Sequence, residues 1–276
     1  MITQQATTRD KLAGGLLLGA VASGLAAAAL SGTGTAMASC ASISGISTGS
    51  SGGSVCTSTP TSFAIGVGDK TTAAATGLFN GAIAIGTNNG PTNATAAVAT
   101  GALSLAYANG KNTSASTEGN LSLAVAQGDN LEAQAGLTPG DIGNVAINVA
   151  QGETVIGGNS VLAAGQGNLA ANLGGVSGII TSYVQAYGTG NAAVNIGGKG
   201  NVVSAGNVNG NPPFVGVPLN TKSVAALAFQ AGGSNNVVTA VGPLAVAGAL
   251  GKDNLTGANK VLQVGPGINI NGTKFP

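Results

Sequence analysis

The sequence predicts an all-β protein, a parallel β-solenoid of short strands with Gly/Asn turns, preceded by a helical signal segment. From residue 61 onward, a short alternating apolar segment recurs about every 18 to 24 residues, the length of one solenoid turn. Only 6% of the residues are charged, against about 25% in ordinary globular proteins. The hydrophobic residues are mostly small, so the core is expected to be thin, as in closely stacked sheets.

Each predicted turn of the coil contains two strands. The first strands are Phe63–Gly66, Ala82–Gly86, Ala102–Ala106, Asn120–Ala124, Asn144–Asn148, Ala192–Gly197 and Leu244–Ala247. Weaker second strands follow roughly ten residues later, at Thr71–Thr76, Thr95–Thr100, Asn112–Thr117 and Asn236–Val241. Gly and Asn between them tolerate the left-handed backbone of tight turns and therefore mark the corners.

The alternation within these strands predicts which side chains face the core. We expect Ala, Val, Ile or Leu to point inward and Ser, Thr, Asn or Gln to point outward. Asn side chains stacked at equivalent corners can form amide ladders along the coil axis. A helix is the alternative for Ala-rich segments, but no window shows a sustained 3.6-residue apolar stripe.

Two stretches interrupt the repeat and set the predicted organisation of the chain. The segment 136–143 contains Thr138-Pro139-Gly140-Asp141 and is expected to bulge as a loop. The segment 207–221 is too rich in proline for a central strand. The predicted organisation is a signal peptide (1–38), a disulfide-pinned Ser/Gly-rich segment (39–60), solenoid repeats (61–206), a Pro-rich loop (207–221) and C-terminal repeats (222–276).

The first residues have the features of an export signal. Arg9 and Lys11 precede an uncharged run from Leu12 to Leu30, and the small residues Ala36 and Ala38 then form a signal-peptidase site with cleavage before Ser39. An uncleaved N-terminal anchor is the alternative. Either outcome predicts an extracytoplasmic protein, secreted or held at the cell surface.

The two cysteines, Cys40 and Cys56, lie just after this site. An even cysteine count in an exported chain predicts a disulfide between them. The run Met37-Ala-Ser-Cys40 is also similar to a bacterial lipobox, in which case Cys40 would carry lipid and Cys56 would be a free thiol. The two outcomes exclude each other.

Strings such as Ala82-Ile-Ala-Ile-Gly86 and Ala192-Ala-Val-Asn-Ile-Gly197 resemble the β-roll head repeats of trimeric autotransporter adhesins. That resemblance implies a surface-exposed β-roll with an adhesive role, although the repeats here are longer and less regular. The leader, the Ser39-Cys40 start and the Gly/Ala/Asn bias resemble uncharacterised secreted proteins of mycobacteria and related actinobacteria. The second resemblance implies export and residence in the envelope.

Together these features predict a structural or interaction protein, adhesin-like, without catalytic activity, cofactor or metal. With a formal net charge of +1 and no basic cluster, nucleic acid is not expected as a partner. The expected partners are an envelope or host surface component, or a second copy joined through the ends or edges of the solenoid. The alternative is a carbohydrate-active β-helix enzyme that uses the turn carboxylates Asp129, Glu132, Asp141 and Glu153.

Overall fold

The computed structural model describes residues 39–47, 50–86, 94–150, 159–174, 182–206, 223–251 and 259–275, and its regular structure in these ranges is entirely β. The strands form two sheets. Sheet A has thirteen strands, in the order β2(Ile46–Ser47), β1(Ser39–Ile43), β4(Phe63–Val67), β6(Gly81–Gly86), β8(Leu105–Gly110), β10(Leu123–Gln127), β12(Val145–Val149), β14(Leu169–Leu173), β16(Ala192–Ile196), β18(Leu227–Ala231), β20(Ala245–Leu250), β22(Gly267–Ile270) and β23(Thr273–Phe275). Sheet B has ten, in the order β21(Asn259–Val264), β19(Asn236–Val241), β17(Val202–Ala205), β15(Tyr183–Thr189), β13(Asn159–Gln166), β11(Leu131–Ala135), β9(Ser114–Thr117), β7(Thr95–Ala102), β5(Thr71–Leu78) and β3(Val55–Ser58).

Along the chain the strands alternate between the two sheets, so each turn of the coil adds one strand to each. Phe63 pairs with Gly81, and Gly81 pairs with Leu105, all in parallel. The exceptions are at the ends of sheet A, where β1 pairs antiparallel with β2 and β4, and β23 pairs antiparallel with β22. The predicted all-β fold with parallel sheets is confirmed. The predicted helical signal segment and the Pro-rich loop 207–221 lie outside the described residues.

The core between the sheets is lined by small side chains. On sheet A a column of alanines, one per coil, is fully buried: Ala64, Ala82, Ala106, Ala124, Ala146, Ala170, Ala193, Ala228 and Ala247. On sheet B the equivalent column is alanine as far as Ala133 and valine from Val161 onward. The core is therefore built largely of small side chains, as the composition predicts.

The predicted division into apolar interior and polar exterior holds in sheet A for alanine, which points inward, but it is wrong there for the larger aliphatic residues and for the amides. Its interior holds Ala and amide side chains, while the larger aliphatic residues such as Ile65, Ile83 and Val125 point outward and are half-buried. The narrow space between the sheets explains the difference, because it accepts Ala more readily than Ile or Leu. Polar side chains are drawn inward because carbonyl groups at the corners need donors.

A buried row of Ser and Asn occupies the corner that precedes seven successive strands of sheet A, from β4 to β16: Ser62, Asn80, Ser104, Ser122, Asn144, Asn168 and Asn191. The Oδ1 atom of Asn144 accepts from the backbone N of Asn168 at 3.1 Å, and that of Asn168 accepts from Asn191 N at 2.9 Å. The predicted corner ladder is therefore confirmed. Two strands are shorter than predicted. Ser104 and Ser122 belong to the corner, and the strands begin at Leu105 and Leu123.

A second amide ladder runs through the core itself and has no counterpart in the predictions. It consists of Asn148, Asn172, Asn195 and Gln230, which occupy the same inward position in successive strands of sheet A. Asn172 Nδ2 donates to Asn148 Oδ1 at 2.9 Å, and Asn195 Nδ2 donates to Asn172 Oδ1 at 2.7 Å. In the preceding coils the same position is Ala84, Ala108 and Ala126, and all of these residues are buried.

The N-terminal end of the described coil is closed by the predicted disulfide. Cys40 in sheet A and Cys56 in sheet B are bonded, with their Cα atoms 5.6 Å apart. Cys40 lies opposite Gly66 in the antiparallel β1–β4 pair. A Cβ atom on Gly66 would lie 2.7 Å from Cys40 Sγ, so only glycine leaves room for the disulfide at this inward position of β4.

Candidate functional site: the outer face of sheet A

The outer face of sheet A is formed by three columns of mainly apolar side chains. The first column is Phe63, Gly81, Leu105, Leu123, Val145, Leu169, Ala192, Leu227, Val246 and Ile268. The second is Ile65, Ile83, Tyr107, Val125, Ile147, Ala171, Val194, Phe229, Gly248 and Ile270. The third is Val67, Ile85, Asn109, Gln127, Val149, Leu173, Ile196, Ala231 and Leu250. We call this surface the apolar face.

The apolar face is free of charge. None of the ten strands from β4 to β22 in sheet A contains Asp, Glu, Lys or Arg, and the polar residues in its columns are Asn109 and Gln127. The outer face of sheet B is mixed, since polar and charged residues such as Thr72 and Glu132 alternate there with apolar ones such as Leu162. The two sides of the same coil therefore have different surface chemistry.

Two aromatic residues lie flat on the apolar face because glycine stands beside them. Phe63 covers Gly81 in the next strand, where a Cβ atom would approach the ring to 2.6 Å. Phe229 covers Gly248 in the same way, and a Cβ atom there would overlap its ring. An aromatic ring that rests on a neighbouring backbone protrudes little, so these two pairs keep the surface level.

A row of exposed apolar side chains borders the apolar face at the corner where the sheet A strands begin. Phe79, Leu103, Leu121 and Leu244 are 63%, 59%, 58% and 65% exposed. We call these four residues the corner row. All four have a left-handed backbone, with φ between 54° and 56°.

A left-handed backbone is costly for such residues, by roughly 1–2 kcal/mol each. The same corner position holds glycine in other coils, at Gly143, Gly167 and Gly190, each with positive φ. The turn therefore does not need a large side chain. Strained, exposed hydrophobic residues of this kind mark surfaces that contact something else.

The carboxylates considered for an enzyme occupy turns and the outer surface. Asp129 Oδ1 accepts from the backbone N of Lys111 at 2.8 Å, and Asp141 Oδ2 accepts from Leu137 N at 2.7 Å. Asp141 Oδ1 also accepts from Thr138 Oγ1 at 3.1 Å, closing the predicted loop within 136–143. Glu132 is exposed on sheet B, and Glu153 lies outside the described residues. Throughout the part of the chain that the structure describes, no three His, Cys, Asp or Glu side chains are grouped as metal ligands.

The described structure begins in the middle of the predicted cleavage site. Ala36 and Ala38 lie outside the described residues, whereas Ser39 begins β1 and pairs with Val67. Of the two outcomes considered for Cys40, the structure has the disulfide with Cys56. The described cysteines include no free thiol.

Comparison with known proteins gives no match, whether to a family model, a curated protein or a solved structure. A separate search of the described residues finds no helix with the length and apolar character needed to cross a membrane.

Sequence reasoning does not find the apolar face, although the alternating strands contain its residues. The alternation in Phe63-Ala-Ile-Gly66 or Ala82-Ile-Ala-Ile-Gly86 has two apolar faces, one small and one large. Hydrophobicity alone cannot decide which face is buried. Side-chain size decides which face is buried. Nearly every strand has Ala at alternate positions, and a turn of this length encloses little volume, so the small residues fit inside.

Proposed function

We propose that this protein is an exported structural or interaction protein of the cell envelope or the secreted fraction, adhesin-like and without catalytic activity of its own. Its repeats form a β-solenoid, and its interaction surface is the apolar face together with the corner row. The observation that carries the proposal is the uncharged expanse of Ile, Val, Leu and Phe on sheet A.

The size of this surface supports a role in binding. Neighbouring strands lie about 4.8 Å apart and a strand rises about 3.3 Å per residue, so ten strands of five residues present roughly 700 Å². Exposed apolar patches larger than a few hundred Å² are rare on soluble monomers and usually mark interaction sites.

The disulfide supports the proposed compartment, because such bonds form and persist outside the reducing cytosol. The predicted leader in residues 1–38 is consistent with the same route. The hydrogen bonds of Asp129 and Asp141 to turn amides support a structural role for these carboxylates.

Export and processing are tested on protein recovered from a native host. The intact mass, measured with and without reductant, should correspond to a chain that begins at Ser39 and should rise by two protons on reduction. A mass that includes the leader would contradict cleavage, and a lipid-sized addition on Cys40 would contradict the disulfide.

The role of the apolar face is tested by a charge placed within it. Val125→Lys lies at the centre of the face, and Val98→Lys is the matched control, since both valines are half-buried and point outward from opposite sheets. Because a lysine desolvated in an apolar contact is costly, Val125→Lys should remove the chemical cross-links that the exported wild-type chain forms with its partner in the native host, whereas Val98→Lys should keep them. Equal cross-linking of the wild type and both variants would refute the assignment of this surface.

A further inference from the structure

We propose that the occupant of the apolar face is a second copy of this chain, which packs sheet A against sheet A to form a face-to-face dimer. This inference rests on the proposed function, since it names the partner of the same surface. It differs from association through the ends of the coil, because it uses the broad side of the molecule.

The first argument is that the larger hydrophobic residues lie outside the coil. The interior columns of sheet A hold Ala and Asn, whereas the outward columns hold residues such as Ile83, Ile147 and Phe229. Two-layer β-proteins bury this class of side chain between two sheets about 10 Å apart. Sheet A therefore has the chemistry of one inner face of a sandwich, and a second copy supplies the other.

The second argument is area. A stable protein–protein interface buries about 800 Å² on each partner. The apolar face offers roughly 700 Å² before the corner row is added, by the strand spacing and rise used above. The surface available thus matches what a specific dimer needs.

The third argument is charge, which separates a second copy from a lipid surface. Proteins that lie on membranes use Lys and Arg to approach headgroups and aromatic belts to anchor there. The chain contains no Trp, and its Arg is at position 9, outside the described coil. The corner at the other border of the face carries both signs, with Asp69, Lys70, Lys111 and Asp129. An identical uncharged face needs no compensating charge.

The corner row extends the same surface. Its strained leucines are explained if they contact a partner, because the free energy gained when a leucine is buried is of the same order as the cost of its left-handed backbone. The coils with glycine at this corner, at Gly143, Gly167 and Gly190, are consecutive and lie in the middle of the molecule. The leucines therefore contribute at the two ends of the interface.

The experiment measures the association state of the purified, exported full chain by sedimentation equilibrium and light scattering over a wide concentration range. The wild type should have twice the chain mass. Val125→Lys should be monomeric, and Val98→Lys should remain dimeric. Circular dichroism and the intact disulfide verify that each variant is folded.

A second variant protects the test against misfolding. Asn tolerates a left-handed backbone better than Leu, so Leu103→Asn combined with Leu121→Asn removes two corner contacts without straining the turn. This variant should raise the dimer dissociation constant by about tenfold or more.

A wild type that is monomeric at every concentration would overturn the proposal. So would a dimer that survives Val125→Lys, or that Val98→Lys disrupts equally, because such a dimer uses another surface. A monomer that binds vesicles of zwitterionic phosphatidylcholine, and loses this binding in Val125→Lys, identifies lipid as the occupant and leaves the proposed function standing. A monomer that binds neither a second copy nor these vesicles overturns the dimer, and the cross-linking of Val125→Lys and Val98→Lys in the native host then decides the proposed function.

Discussion

Removal of one amide from the core ladder tests what holds the coils together. In Asn172→Ala, the Oδ1 atom of Asn148 loses its donor at 2.9 Å and the Nδ2 atom of Asn195 loses its acceptor at 2.7 Å. Both groups belong to side chains that are 1% exposed or less, so water has no direct route to replace the lost partner. An unsatisfied buried polar group costs about 1–3 kcal/mol, and two of them predict a loss of about 2–6 kcal/mol.

Such a loss is a large part of the stability of a typical domain, about 5–15 kcal/mol. It should be measured as a fall in the free energy of unfolding in urea, followed by circular dichroism. Gln134→Ala is the matched control, because it removes an amide that points outward from sheet B, and it should change stability by about 0.5 kcal/mol or less. If Asn172→Ala is as mild as its control, the ladder does not stabilise the core and the argument fails.

Single substitutions at two backbone positions and at one tyrosine test further details of the structure. Gly66→Ala places a Cβ atom 2.7 Å from Cys40 Sγ, so the disulfide should form incompletely, and maleimide labelling followed by mass spectrometry should detect free thiols; complete oxidation would contradict this. Ala225→Gly relieves a left-handed alanine and should raise the free energy of unfolding by about 1 kcal/mol, whereas Ala96→Gly in a strand should lower it by about 0.5–1 kcal/mol, and a shared sign would be the wrong result. Burial raises the pKa of Tyr187 above its ordinary value of 10.0, so the folded state holds this proton more tightly and the free energy of unfolding should fall as the pH rises above about 10; Tyr187→Phe should reduce that fall, and an unchanged alkaline profile would refute the prediction.

The sequence predicted the architecture because the fold depends on repetition. Alternating residues at a fixed spacing define the strands, and Gly and Asn between them define the corners. Neither assignment depends on which face of a strand is buried. The second strands predicted at Thr71–Thr76, Thr95–Thr100 and Asn236–Val241 correspond to β5, β7 and β19. The corner ladder was predicted for the same reason, since equivalent residues of a coil stack above one another.

The candidate site could not be predicted in this way, because the two faces of a strand differ in size and not in polarity. In Ala82-Ile-Ala-Ile-Gly86 both faces are apolar, and the rule that apolar residues point inward gives no preference. The left-handed leucines were also missed. Leu103 and Leu121 were assigned to strands, since leucine is rare at a corner and hydrophobic alternation continued through it.

The thin core and the apolar face are two consequences of one arrangement. Alanine buries little surface, so the interior contributes less hydrophobic stabilisation than a core of leucine would. Hydrogen bonds between successive parallel strands and between the buried amides contribute much of the remaining stability. The hydrophobic residues that could add more lie outside, on sheet A, where only a partner can bury them. A binding event that covers this face stabilises the folded chain by an amount that grows with the logarithm of the partner concentration divided by the dissociation constant, because the unfolded chain has no such surface. The structure thus links its own stability to the contact that we propose, and the strained corner row at Leu103, Leu121 and Leu244 lies where that contact would compensate for it.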